Sequence, residues 1–224
     1  MEKLTKEDIK GPDVFIKQAV IVTDFADKHR KTIIGSLVGL VAIALLWAGW
    51  GFYIDNQESK AQDLFYQAQK KLKTLDEKNT EAAATIAGEL KAISSNYGVT
   101  QAGVLSALEA SRLYFNANKN QEAIDILEKA AKSARNSTVK ALVLNNLASN
   151  YEAVGQWQKA VDTLNLIETR DDMNFMHGQV LLKKGLNFEK LGQKDKAEQM
   201  YKKAEGLTKF PDVVSAAKKY LRTL

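Results

Sequence analysis

Cysteine is absent from the 224 residues, and proline and histidine occur only twice each. Without cysteine there is no disulfide framework, no thiolate metal ligand, no thiol nucleophile and no lipidated anchor. The same absence leaves the redox compartment open, because it suits a cytosolic protein and equally a periplasmic one. Charge of one sign is also scarce: 32 basic side chains face 27 acidic ones, and residues 1–31 hold 7 and 6 of them. Neither that stretch nor the remainder has the basic excess that grips a nucleic-acid backbone. Missing as well are a nucleophile elbow, a phosphate-cradling glycine loop and any His/carboxylate cluster at ligand spacing. No catalytic residue, cofactor, metal or small-molecule site is therefore expected. His29 stands in a basic flank, and His177 stands beside Met176 and Phe175 at the start of a helix, in a structural or solvated role. The adjacent Asp171 and Asp172 suit a cation or acid/base pair, or simply the positive end of the helix that follows.

One long apolar run is present. Thr32–Ile54 reads TIIGSLVGLVAIALLWAGWGFYI, 23 residues without a charge. As a helix it reaches ~34 Å, enough for a hydrocarbon core of roughly 30 Å. It is longer than the apolar part of a signal peptide and ends in Trp47, Trp50, Phe52 and Tyr53, where cleavage needs small residues. An uncleaved signal anchor is expected. Lys28, Arg30 and Lys31 abut its start, whereas Asp55 and Glu58 come first after its end. The positive-inside rule places residues 1–31 in the cytoplasm and 55–224 on the other side of the membrane, with the terminal aromatics at the outer interface. Within the span, Gly35 and Gly39 form a GxxxG pair that either packs against a partner helix or is merely tolerated there. Ahead of it, Gly11-Pro12-Asp13 reads as a helix start, followed at helical spacing by Val14, Phe15, Gln18, Val22 and Phe25. That stretch either lies on the membrane surface, touches a partner, or simply leads into the anchor.

After Asp55 only Pro211 interrupts the chain, and apolar residues recur every three to four positions. Ala61, Leu64, Phe65, Ala68, Leu72 and Leu75 mark one face of a first helix, and Glu81–Ser95 carries the next around Gly88. With no Gly or Pro between Phe52 and Leu75, the anchor is free to run on into that first helix. Beyond them a period of 37 residues appears in four registers. It links Tyr114, Tyr151 and Phe188; Ala123, Ala160 and Ala197; Leu127, Leu164 and Tyr201; and Ala130, Ile167 and Ala204. Such a period marks a repeat array of helix pairs, with Ala where two helices approach and large residues between pairs. Thr80, Thr100, Asn120 and Ser137 read as N-caps, and Gly155 and Gly192 as C-terminal stops.

The block Leu144, Leu147, Ala148, Tyr151, Gly155, Trp157, Ala160, Leu164 and Ile167 resembles the tetratricopeptide repeat. So does Leu181, Gly185, Phe188, Gly192, Ala197, Tyr201 and Ala204, with Pro211 after it. The block Ala107, Ala110, Ser111, Tyr114, Ala123, Leu127 and Ala130 lacks the turn glycine and has Asn118 there. A period above that repeat's usual length implies longer turns, such as Ala134–Ser137 and Thr169–Asn174. The expected fold is all-α: one transmembrane helix, a degenerate helix pair over 58–95, repeats over about 104–134, 141–168 and 178–207, and an amphipathic capping helix over 212–224. The resemblance places Leu105, Leu108, Arg112, Phe115, Leu142, Asn145, Ser149, Glu152, Gln179, Leu182, Leu186 and Glu189 on a protein-binding groove, unless they pack against the first helix pair or the last helix. No Lys/Asn pattern for clamping a terminal carboxylate is visible.

A short cytoplasmic stretch ending Asp24-Phe25-Ala26-Asp27, a GxxxG-bearing anchor with a terminal Trp, and Asn96-Tyr97-Gly98 before the first clear repeat resemble the YfgM-like family. That family supplies an ancillary subunit of the SecYEG translocon. The resemblance implies a bacterial inner-membrane protein working beside translocon subunits and an anchored periplasmic chaperone, helping secreted clients reach soluble chaperones. Composition and periodicity by themselves point to a membrane-tethered interaction module, which also suits a scaffold for pilus assembly, cell division or outer-membrane biogenesis. The topology is checked with fusions after Leu224: alkaline phosphatase is expected to be active there, and an active cytoplasmic reporter would reverse the orientation.

Overall fold

The computed structural model describes residues 21, 23, 25, 26, 28–76, 79–168 and 176–224. The expected helix start at Gly11-Pro12-Asp13, residues Val14, Phe15, Gln18 and Val22, and the acids Asp24 and Asp27 lie outside these. So do the Thr169–Asn174 turn and Phe175. Nine helices are assigned among the described residues: α1 Arg30–Lys73, α2 Thr80–Asn96, α3 Gln101–Asn116, α4 Asn120–Ser133, α5 Ser137–Ala153, α6 Trp157–Glu168, α7 His177–Lys190, α8 Lys194–Glu205 and α9 Pro211–Thr223. No strand occurs among the described residues. The chain divides into two compact units, Met1–Tyr53 and Ile54–Leu224.

In the first unit, α1 carries the one segment among the described residues long and apolar enough to cross a membrane. Residues 30–53 of this helix are exposed throughout, with Trp47 at 80% and Leu46 at 76%. The helix is unbroken from Arg30 to Lys73, as the lack of Gly or Pro between Phe52 and Leu75 allows.

In the second unit, consecutive helices pack pairwise, α3 with α4, α5 with α6 and α7 with α8, and each pair packs on the next. The four registers of the 37-residue period form its interior. Ala123, Ala160 and Ala197 are wholly buried, as are Leu127, Leu164 and Tyr201, and Ala130, Ile167 and Ala204 are nearly so. Of the aromatic register, Tyr151 and Phe188 are buried and Tyr114 is half-buried. Fully burying one leucine is worth about 1.5–3 kcal/mol. The tail of α1 joins this interior through Ala61, Ala68, Phe65 and Leu72, whereas Leu64 stays 40% exposed. Glu58 on that tail accepts hydrogen bonds from the Gln101 and Ala102 amides at 2.6 and 3.0 Å, satisfying two free donors at the start of α3. The last helix, α9, packs on both α7 and α8: Val213 lies against Gly178, and Tyr220 stacks on Tyr201 with ring centres 5.2 Å apart.

The helix starts correct three expected caps. Thr100 does cap α3, its hydroxyl accepting from the Gly103 amide at 3.0 Å. Thr80 and Ser137, however, are the first helical residues, and the caps are Asn79 and Asn136, which accept from Ala82 and Val139. Asn120 also lies inside its helix, and Lys119 before it makes no side-chain cap. The turns ending α3, α5 and α7 share one geometry. Gly155 and Gly192 take φ of 73° and 72°, and Asn118 takes 57° at the same register. Lys119, Gln156 and Gln193 donate backbone bonds to Tyr114, Tyr151 and Phe188 at 2.8, 2.8 and 2.9 Å. This is the left-handed stop that glycine favours and asparagine tolerates, so the missing glycine of the first repeat alters the residue and not the turn.

The apolar interior is in two parts. One runs from Ala61 to Val180; the other gathers Val161, Leu181, Phe188, Ala197, Met200, Tyr201, Ala204 and Ala217. Between α6 and α7 a polar seam accompanies this division. Lys184 is buried to 6% exposure and pairs with Glu168, in the register where earlier repeats have Ala110 and Leu147. A charge pair of this kind offsets its desolvation only while both partners are present.

Two stability tests follow from this packing. A Cβ added at Gly185 would lie 2.2 Å from the Tyr201 ring, so Gly185→Ala should cost about 1–3 kcal/mol and lower the melting temperature of the full chain in detergent. An unchanged melt would contradict the α7–α8 contact. Lys184→Met should cost about 1–3 kcal/mol by leaving the Glu168 carboxylate unmatched, and Lys184→Met with Glu168→Leu should recover most of it. Additive losses in that double variant would show that the two side chains do not act as a pair.

Candidate protein-binding surface

The expected groove residues lie on α3, α5 and α7, the first helices of the three repeats, and none is fully buried. Helical spacing puts them in four rows, each advancing 37 residues per repeat: Leu105, Leu142 and Gln179; Leu108, Asn145 and Leu182; Arg112, Ser149 and Leu186; Phe115, Glu152 and Glu189. Phe115, Leu142 and Leu186 are 41%, 40% and 37% exposed. Arg112 and Gln179 are exposed too, and Leu105 is half-buried. Leu108 and Leu182 turn partly inward, each against one of the two apolar clusters.

The polar members of these rows are tied together. Lys183 Nζ donates to Ser149 Oγ at 2.5 Å and lies 3.7 Å from Glu152. Asn187 Nδ2 donates to Glu152 Oε1 at 2.7 Å. Burial pulls the Lys183 ammonium below the usual lysine range, and Glu152 opposes that pull. Glu189 accepts from the Tyr201 hydroxyl, and Tyr151 donates to Glu128 at 2.5 Å. Both phenols are held well above their ordinary range, first by burial and then by the carboxylates they face. Arg112 is held at 2.5 Å by Glu109, and this bond raises its guanidinium above the usual arginine range. Asn145 Oδ1 is buried without a hydrogen-bond partner among the described residues.

Lys183 joins this surface half-buried and Asn187 lies buried beneath it; neither was among the expected residues. Their signal was present: they follow Ser149 and Glu152 by 34 and 35 residues, one period less a few positions. Facing side chains on adjacent first helices are offset in that way rather than by the period itself. Lys183 also fills the register of Glu109 and Asn146, so this row changes charge along the array.

The other candidates are dispersed. His177 begins α7 with Nδ1 buried and unpartnered among the described residues, and Asp171 and Asp172 lie outside them. No group of three His, Asp or Glu gathers among the described residues as metal ligands do. In the apolar helix, a Cβ added at Gly35 or Gly39 would meet nothing within 4 Å.

No curated protein matches the sequence. Among solved structures, the crystal structures of MamA are similar in fold: one is 19% identical over 69% of this chain and 90% of its own, with a TM-score of 0.50. Another is also 19% identical, over 75% and 86%, with a TM-score of 0.51. The nearly identical TPR-like repeats of a putative kinesin light chain from Podosopora anserina are 16% identical over 71% and 82%, with a TM-score of 0.52. At such identities the likeness concerns the fold alone. The sequence itself matches the tetratricopeptide repeat-like domain over residues 24–212, a stretch that takes in the apolar helix as well as the repeats, and the chain belongs to that family.

Proposed function

We propose that this chain is a single-pass inner-membrane protein whose tetratricopeptide-like array, in the periplasm, binds proteins beside the translocon and helps secreted clients pass to periplasmic chaperones. A fold of this family supports protein partners in general. The observation that carries the reading is that each first helix of the three repeats keeps one large apolar side chain partly exposed, Phe115, Leu142 and Leu186. Exposed apolar side chains interspersed with hydrogen-bonding groups suit an extended or helical segment, whose side chains they desolvate while polar neighbours fix the register. Asn145 Oδ1 offers an acceptor without a partner among the described residues for a backbone amide of such a segment. The fully exposed apolar face of α1 supports tethering, and the basic side chains at its start support the cytoplasmic placement of the N-terminus. The translocon assignment draws on the resemblance to the YfgM-like family.

The test is photo-crosslinking in cells from Leu142, combined with affinity purification in mild detergent. Translocon subunits and an anchored chaperone should be recovered, and Leu142→Glu with Leu186→Glu should reduce that recovery about tenfold, the effect expected of losing two central apolar contacts. Gly35→Leu with Gly39→Leu in the same assay reports whether the span itself contributes. Recovery of pilus, division or outer-membrane assembly proteins in place of translocon subunits would move the protein to another envelope machine. Full recovery from the groove variants would remove the groove from the interface.

A further inference from the structure

A second recess lies at the N-terminal end of the array, where the tail of α1, the start of α2 and the end of α3 meet. It is a cleft of about 710 Å³ with a floor of Leu72, Leu75, Ala83, Ala84, Ala87 and Leu113, edged by Lys73, Arg112 and Lys119. No carboxylate is among its described lining residues. Arg112 is held by Glu109, whereas Lys73 and Lys119 have no ion pair among the described residues. Glu122 approaches Tyr114, and burial together with this acid raises the Tyr114 phenol above its ordinary range.

Comparison with the next repeat explains why the recess is open. Helices α2 and α4 end at Asn96 and Ser133, 37 residues apart, so their positions correspond. Where α4 has Asn120, Gln121 and Ile124, α2 has Ala83, Ala84 and Ala87. Where α4 supplies Glu128 to the Tyr151 hydroxyl, α2 has Lys91, and the Tyr114 hydroxyl has no hydrogen-bond partner among the described residues. Small side chains thus leave apolar volume unfilled beside a phenol donor and two free ammonium groups. A complementary occupant carries an apolar side chain for the floor and a carboxylate for the rim.

The geometry points to a docking site in this cleft for an apolar, acidic peptide segment of a partner protein, beside the groove on α3, α5 and α7, with which it shares only Arg112. The carboxylate accepts from Tyr114 Oη and faces Lys73 and Lys119, while the apolar side chain covers Leu72, Leu75 and Ala84. Attraction at such a rim weakens as salt is added.

The full chain in lipid nanodiscs, with empty nanodiscs as control, is titrated with a fluorescein-labelled Gly-Ser-Leu-Phe-Asp-Glu peptide and with its Lys-Lys counterpart. The acidic peptide should bind saturably, more weakly at high salt, and at least about tenfold more tightly than the basic one, a difference of about 1.4 kcal/mol. Ala84 is exposed, so Ala84→Trp should fill the cleft without unfolding the array, and binding should drop about tenfold. Lys73→Glu with Lys119→Glu should reverse the preference toward the basic peptide, an outcome that misfolding does not produce. Equal affinity for both peptides, or unaltered binding by both variants, overturns the inference. Loss of binding in Leu186→Glu with Ala84→Trp unaffected would seat the peptide in the groove, overturning the cleft while leaving the proposed function standing.

Discussion

Three alanines one period apart, Ala123, Ala160 and Ala197, sit wholly buried where the two helices of each repeat approach. The rest of the array depends on that approach. A methyl group is the largest side chain such a contact holds without parting the helices, so the volume needed to fill the interior comes from neighbouring registers. Leu127, Leu164 and Tyr201 supply it four residues on. In the third repeat the filler is an aromatic ring, and Gly185 lies against it where the preceding repeats have Ser111 and Ala148. Larger on one side is matched by smaller on the other. The period is conserved in volume rather than in residue identity.

The same bookkeeping does not hold for polarity. Between the second and third repeats the register of Ala110 and Leu147 becomes Lys184, and the chain answers with Glu168 at the end of α6. Lys183 and Asn187 on the adjacent turn of α7 reach back to Ser149 and Glu152. A seam joined by directional bonds holds one relative placement of its two sides well, yet contributes less net stability than apolar contact of equal area. Two apolar clusters meet at this seam: Leu181 is buried with Val161 of α6 and with residues of α8 and α9, and Met176 and Val180 with the preceding repeats.

Much of the fold was legible because buried positions leave few choices. Alanine at a close contact and a large apolar residue beside it recur wherever the geometry recurs, which is why the period could be read from Ala123, Leu127 and their successors. The caps were legible only to within a residue, since Asn79-Thr80 and Asn136-Ser137 each offer two side chains able to bond a helix start, and the asparagine takes the bond in both. Asn118 stood out as a departure, although the backbone requirement there is a left-handed φ that asparagine also meets. On the candidate surface, the sequence shows rows and not a network. Periodicity identifies residues that are equivalent, whereas hydrogen bonds join residues that face each other, and those differ by 34 or 35 positions here.

Solvent-facing rows obey a different constraint from buried ones. Along the interior the registers of Ala123 and Ala130 keep alanine in the first and third repeats, whereas most rows on α3, α5 and α7 change along the array. Arg112 gives way to Ser149 and Leu186, and Phe115 to Glu152 and Glu189. Packing does not demand that variation, because a side chain facing water has no neighbour whose volume it must match. Nor does solubility demand it, which a row of lysines or glutamates would serve better than one containing leucine and phenylalanine at 37–41% exposure. A surface that differs from repeat to repeat, built on a frame that does not, can distinguish the successive side chains of a bound segment and so fix its direction. The frame supplies spacing, the rows supply the order in which apolar and polar groups are met, and neither alone would recognise one segment over its reverse.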